Sequence, residues 1–148
     1  MKINWTRVIL GGLLAGLIIN IIDSIVSGVI LEQLWTEAMV RLNLSPAMGP
    51  GVITAFWVMG FLWGLYALWL YVTIRPRFGP GPKTALITAV AVWIPAGLLS
   101  MVPPAVMHMF RYRLVAATVL VSLLELIAGT LIGAWIYKEC AGSKATSA

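Results

Sequence analysis

Val8–Leu31, VILGGLLAGLIINIIDSIVSGVIL, decides the fold. It contains no lysine or arginine, and its single charged residue is Asp23. As a helix rising 1.5 Å per residue it is long enough to cross a hydrocarbon core ~30 Å thick. Lys2 and Arg7 precede it, as in a secretory signal. The run is too long for a signal h-region, carries Asn20 and Asp23, and ends without an A-x-A-like cleavage site, so it reads as a retained signal-anchor helix.

Three further runs of the same kind follow, at 51–74, 84–102 (interrupted by Pro95) and 114–136. None alternates with the period of two that a membrane strand requires. The composition agrees with four spans. Of 148 residues, 61% are hydrophobic and only 10% charged, with a mean hydropathy of +0.98. A soluble domain carries about 25% charged residues. The expected fold is an all-α membrane protein, residues 1–148 as one domain, with four transmembrane helices in an antiparallel bundle.

The net charge of +5 does not indicate nucleic acid, because the basic residues form short clusters at segment ends and no extended basic face. Lys2, Arg7, Arg75, Arg77, Lys83, Lys138 and Lys144 fall on one side of the bilayer, and Arg41, Arg111 and Arg113 on the other. The positive-inside rule then puts both termini in the cytoplasm, in the cell (inner) membrane. Cys140 is the single cysteine, which excludes an internal disulfide and reads as a free, reduced thiol on the cytoplasmic side.

The connections carry their own signals. Arg75-Pro76-Arg77-Phe78-Gly79-Pro80-Gly81-Pro82-Lys83 reads as a breaker between two helices of a tight hairpin, its prolines and glycines stopping one and starting the next. After the first span, Leu31, Leu34, Trp35, Ala38, Met39 and Leu42 recur at helical spacing, with Glu32, Gln33, Thr36, Glu37 and Arg41 mostly opposite. That is a short amphipathic helix at the outer surface. Pro103-Pro104 is expected to end the third span, and Pro95 to kink it and expose a carbonyl.

Inside the bundle, Gly12, Gly16, Asn20, Ser24 and Gly28 recur at strict i+4 spacing on the first span, with Asp23 and Ser27 beside the line. The fourth span carries Thr118, Ser122, Gly129 and Gly133, with Glu125 on the same side, and the second adds Gly60 and Gly64. In lipid, where the hydrophobic effect does not drive helices together, small residues mark the faces on which backbones meet. The helix-packing residues are thus expected to be Gly12, Gly16, Gly28, Gly60, Gly64, Gly129 and Gly133. An ionisable group at bilayer depth is expensive and must turn inward, so Asp23 and Glu125, served by Asn20, Ser24 and Ser122, form the expected intramembrane polar site. Two close carboxyls in a low dielectric do not both stay ionised cheaply, so at least one is expected to be protonated at neutral pH. The site has two readings. It either fixes helix pairing or exchanges protons or cations.

Other residues offer less. His108 is the only histidine, which excludes a bis-histidine haem, and it stands alone where a metal would need several convergent ligands. Trp57, Phe61, Trp63, Tyr66, Trp69 and Tyr71 crowd the second span, as anchoring and packing groups do. There is no nucleophile elbow, P-loop, dinucleotide fingerprint or HExxH. The glycines around Gly11-Gly12 follow no strand, so they make no phosphate loop. No enzyme, cofactor or metal is expected.

Four short helices with an intramembrane acid resemble the architecture of the small multidrug resistance transporters. Their key glutamate lies in the first helix, where this chain has Asp23, and its own intramembrane glutamate is in the fourth. No functional residue carries over. The stretches RVILGGLLAGLIINIIDSIVSGVIL (7–31), LWTEAMVRL (34–42) and LELIAGTLIGAWIYKE (124–139) resemble uncharacterised four-helix bacterial membrane proteins, a likeness that implies the fold and no activity. The expected function is that of a small non-enzymatic multi-pass protein acting through helix–helix contacts, as a homo-oligomer or with other membrane subunits. The alternative is a proton- or cation-coupled transporter using Asp23 and Glu125.

Overall fold

A computed structural model describes residues 3–137. Lys2, Lys138, Lys144 and Cys140 lie outside the described residues. The elements are α1 (Trp5–Ile25), a π-helical segment (Val26–Ile30), α2 (Glu32–Arg41), α3 (Pro50–Phe78), α4 (Pro82–Trp93), a second π segment (Ile94–Leu99), α5 (Ser100–Val106) and α6 (Tyr112–Ile136). Four continuous stretches are long and apolar enough to span a membrane: Trp5–Ile30, Pro50–Phe78, Pro82–Val106 and Tyr112–Ile136. No strand occurs among the described residues.

Two sets of contacts define the ends of the bundle. At one end the Arg7 guanidinium donates to the Ile136 carbonyl (3.1 Å), Tyr71 packs edge-on against Tyr137, and Arg75 lies over the Tyr137 ring. A cation there suits the negative pole of α6, whose last carbonyls lack helical donors. At the other end α2 folds over the α5–α6 connection, with Trp35 edge-on to Phe110 and Glu37 paired with Arg111 at 3.3 Å. Leu31 and Ala38 are buried beneath α2, while Glu32, Gln33, Thr36, Glu37 and Arg41 are exposed.

The helices mesh along glycine. A Cβ added to Gly12 would stand 2.8 Å from the Leu65 Cα, and one on Gly16 would stand 2.6 Å from the Phe61 Cα. On the adjoining face of α1, about 100° round the helix, a Cβ on Gly129 would lie 2.8 Å from the Ala15 carbonyl oxygen, and one on Gly133 2.6 Å from that of Gly11. Residue numbers rise along α1 as they fall along α3 and α6. Between these seams lies a core of Val8, Ala15, Leu68, Tyr71, Val72 and Ala85, continued toward mid-depth by Ile19, Ala67, Val92 and Leu126. The close seams lie toward the Arg7 end. Every residue from Pro50 to Met59 is exposed, so α3 stands clear of its neighbours toward the α2 end.

The prolines act only in part as the sequence predicts, for Pro82 opens α4 as expected while Pro76, Pro103 and Pro104 do not end their helices. α3 runs through Pro76 and stops at Gly79, whose φ of +82° ends the helix and whose N–H donates to the Arg75 carbonyl at 2.8 Å. Gly81, at φ +132°, starts the return, and the Thr84 hydroxyl donates to the Gly79 carbonyl. Left-handed backbone, which glycine adopts without steric cost, makes this turn. Pro95 does disturb the third span, through the π segment Ile94–Leu99. A proline lacks the N–H and crowds the carbonyl four residues back, here that of Ala91, and a π turn accommodates both. Pro103 and Pro104 do not end the helix, which runs on to Val106. Proline's fixed φ is helical, so the chain loses two donors there without having to leave the helix.

Candidate functional site

Asn20 closes the α1–α3 seam. Its side-chain amide donates to the Trp57 carbonyl at 2.9 Å, and the space for it is the missing side chain of Gly60, where a Cβ would stand 2.7 Å from the Asn20 Cγ. A buried amide in lipid needs a partner, and a backbone carbonyl across the seam supplies one. Gly64 does the same for backbone, since a Cβ on it would lie 2.6 Å from the Gly16 Cα. Asn20 thus ties α1 to α3 through the Trp57 carbonyl.

Beyond Asn20 the two helices part. Asp23 is half-buried, and its Oδ1 accepts from the Ser27 hydroxyl at 2.7 Å. Ser24 is exposed, outside the expected polar centre. Gly28 is exposed in the π segment, and among the described residues no packing neighbour lies within 4 Å of an added Cβ. The i+4 line predicted a continuous seam, but the divergence of α3 leaves its last two members uncovered.

On α6, Gly129 and Gly133 face α1. One turn from Gly129, Glu125 is half-buried, with Oε2 buried and no hydrogen-bond partner. Continuing the Gly133–Gly11 and Gly129–Ala15 register by one turn sets Glu125 level with Ile19, one turn from Asp23. The two carboxyls are close enough to interact electrostatically. Ser122 lies elsewhere on α6. Its hydroxyl donates to the Val119 carbonyl (2.9 Å) and abuts Gly97 of the third span. The structure therefore brings Asp23, Ser27 and Glu125 into one neighbourhood, gives Asn20 and Ser122 to adjacent helix contacts, and leaves Ser24 outside.

Sequence reasoning missed two close-packing glycines, Gly11 and Gly97, and the buried threonines Thr84, Thr88 and Thr130. The small residues Gly97 and Thr88 were visible signals, as was Trp93, whose indole donates to the Val119 carbonyl at 3.0 Å. Among the described residues no group of three or more His, Cys, Asp or Glu is placed to hold a metal ion. His108 is exposed in the α5–α6 connection at φ +52°.

Comparison with protein-family models, curated proteins and solved structures finds no match to this chain.

Proposed function

We propose that this chain is a small, non-enzymatic multi-pass membrane protein that acts through helix–helix contacts, as a homo-oligomer or as an accessory subunit of a membrane complex. The observation that carries it is the uncovered end of the α1 small-residue line. Ser24 and Gly28 continue the face that Gly12, Gly16 and Asn20 use against α3, yet both are exposed among the described residues. Small and polar residues on a lipid-exposed helix face gain little from acyl chains and much from a second helix. The bare face of Pro50–Met59 lies alongside. A helix from another copy or another subunit fits that opening and shields Asp23 at its edge. The basic residues support a cytoplasmic location for the Arg7 end, and so for both termini, in the inner membrane.

The test is oligomeric state in mild detergent and in bilayer discs, read by native mass spectrometry and cross-linking. Wild type is expected as a defined oligomer or with a stoichiometric partner, and Gly28→Leu and Ser24→Leu as dissociated chains that keep their helical content. A monomeric, partnerless wild type in bilayer discs would overturn the proposal.

A second reading, proton or cation exchange, is favoured by the unpartnered Glu125 Oε2 beside Asp23. A buried polar atom without a partner invites a proton or a cation. Flux into proteoliposomes separates the readings. Equal proton and cation leak for wild type, Asp23→Asn and Glu125→Gln would leave the acids a structural role.

A further inference from the structure

The outer face of the α5–α6 connection holds a feature that the helix seams do not use. A groove of about 740 Å³ opens there, bounded by Arg41, His108 and Arg111 and, further along α6, by Val115, Ala116 and Val119. Its volume lies within the ~300–1,000 Å³ range of small-molecule sites. Its charge is one-sided. Arg41 ends α2, and Arg111 precedes α6. Glu37 engages one Arg111 nitrogen at 3.3 Å in an exposed pair beside the groove. Two arginines against one glutamate leave the rim cationic.

The groove is polar at one end only. Arg111 and His108 lie where the third and fourth spans end, alongside the aromatic groups Trp35, Phe110 and Tyr112 that suit a membrane interface. Val115, Ala116 and Val119 cover about one turn of α6, or roughly 6 Å, and Val119 lies about two turns from the start of the helix, inside the apolar span. A soluble anion would use the rim and leave the apolar wall empty. A neutral hydrocarbon would use the wall and leave the arginines without a counter-charge. A molecule with a phosphate head and an acyl tail fits both parts, and the bilayer supplies it at the right depth.

We propose that this groove binds an anionic phospholipid from the leaflet at the α2 end, its phosphate held by Arg41 and Arg111 and one acyl chain laid along Val115, Ala116 and Val119. Arginine is suited to this because its planar fork meets phosphate oxygens in pairs. The lipid then bridges α2 to α6 beside the Glu37–Arg111 pair, fastening a helix otherwise held by few groups.

Native mass spectrometry of the full chain, reconstituted with equal amounts of phosphatidylglycerol and phosphatidylcholine and then extracted in mild detergent, tests this. Wild type is expected to retain phosphatidylglycerol in preference to phosphatidylcholine. The preference is expected to fall about five-fold in Arg41→Gln and to vanish in the Arg41→Gln/Arg111→Gln double variant. Ala116→Trp, which fills the groove without altering its charge, is expected to lower retention of both lipids. The single Arg41→Gln variant keeps the Glu37–Arg111 pair, so a folding defect in the double variant does not hide the result. Equal retention of the two lipids by wild type would overturn the proposal. So would displacement of the lipid by millimolar inorganic phosphate, which would mark a free-anion site.

Discussion

At the scale of single residues, the α1–α3 seam depends on one reciprocal fit. Asn20 reaches the Trp57 carbonyl only because Gly60 has no side chain. Gly60→Ala should cost about 1–3 kcal/mol, the usual range for overpacking a close contact. Asn20→Ala should cost about 0.6–2 kcal/mol through loss of an interhelical hydrogen bond. In the double variant the alanine at position 60 meets no amide, so the two costs should fall well short of additive. A double-mutant cycle of unfolding free energies in bicelles checks this, and additive costs would sink the fit. The same seam shows what sequence could and could not reveal. The i+4 spacing of Gly12, Gly16, Asn20, Ser24 and Gly28 fixes a helix face, because phase is local. It does not fix where the partner helix leaves that face, which depends on how α3 packs elsewhere. Gly28 therefore looked the same as Gly16 in sequence and differs from it in space.

At the scale of elements, the four spans were legible because apolar length alone defines them, and their ends were not. Pro76 and Pro103-Pro104 read as stops, yet both α3 and α5 run through their prolines. A proline removes a donor and crowds a carbonyl, but its φ is helical, so a helix near its end can continue across it. Gly79 ends α3 because its φ of +82° is one that a side chain disfavours. Gly79→Ala should therefore cost about 1–2 kcal/mol. Pro76→Ala should be neutral or stabilising, since it restores an N–H to the Val72 carbonyl. Thermal unfolding in detergent of the two variants distinguishes the residues, and a larger loss at Pro76 would reverse the assignment. The third span shows the same limit. Pro95 announced a distortion, but its form as a π segment that presents Gly97 to Ser122 and Trp93 depends on α6 being there to receive it.

At the scale of the molecule, the two ends differ in what holds them. The Arg7 end is closed by buried groups and by a guanidinium on the last carbonyl of α6, while the α2 end joins buried Leu31, Ala38 and Leu114 to an aromatic pair and an ion pair whose side chains are 62% and 53% exposed. An exposed pair of that kind contributes about 0–1 kcal/mol, so Glu37→Gln should barely change stability. Orientation in the bilayer rests instead on charge distribution. Seven of the 10 basic residues, Lys2, Arg7, Arg75, Arg77, Lys83, Lys138 and Lys144, belong to the end read as cytoplasmic, and three to the other. Replacing Arg75, Arg77 and Lys83 with glutamine reduces the imbalance to four against three. The positive-inside bias acts through short connections such as this one, so that variant should insert in both orientations where wild type inserts in one. The readout is labelling by a membrane-impermeant thiol reagent, in a Cys140→Ala background, of single cysteines at position 45 or 80. In wild type only position 45 should react from outside the cell, and in the triple variant both should. Labelling of position 80 alone in wild type would mean that the chain sits the other way up, with the α2 end and its phospholipid groove toward the cytoplasm.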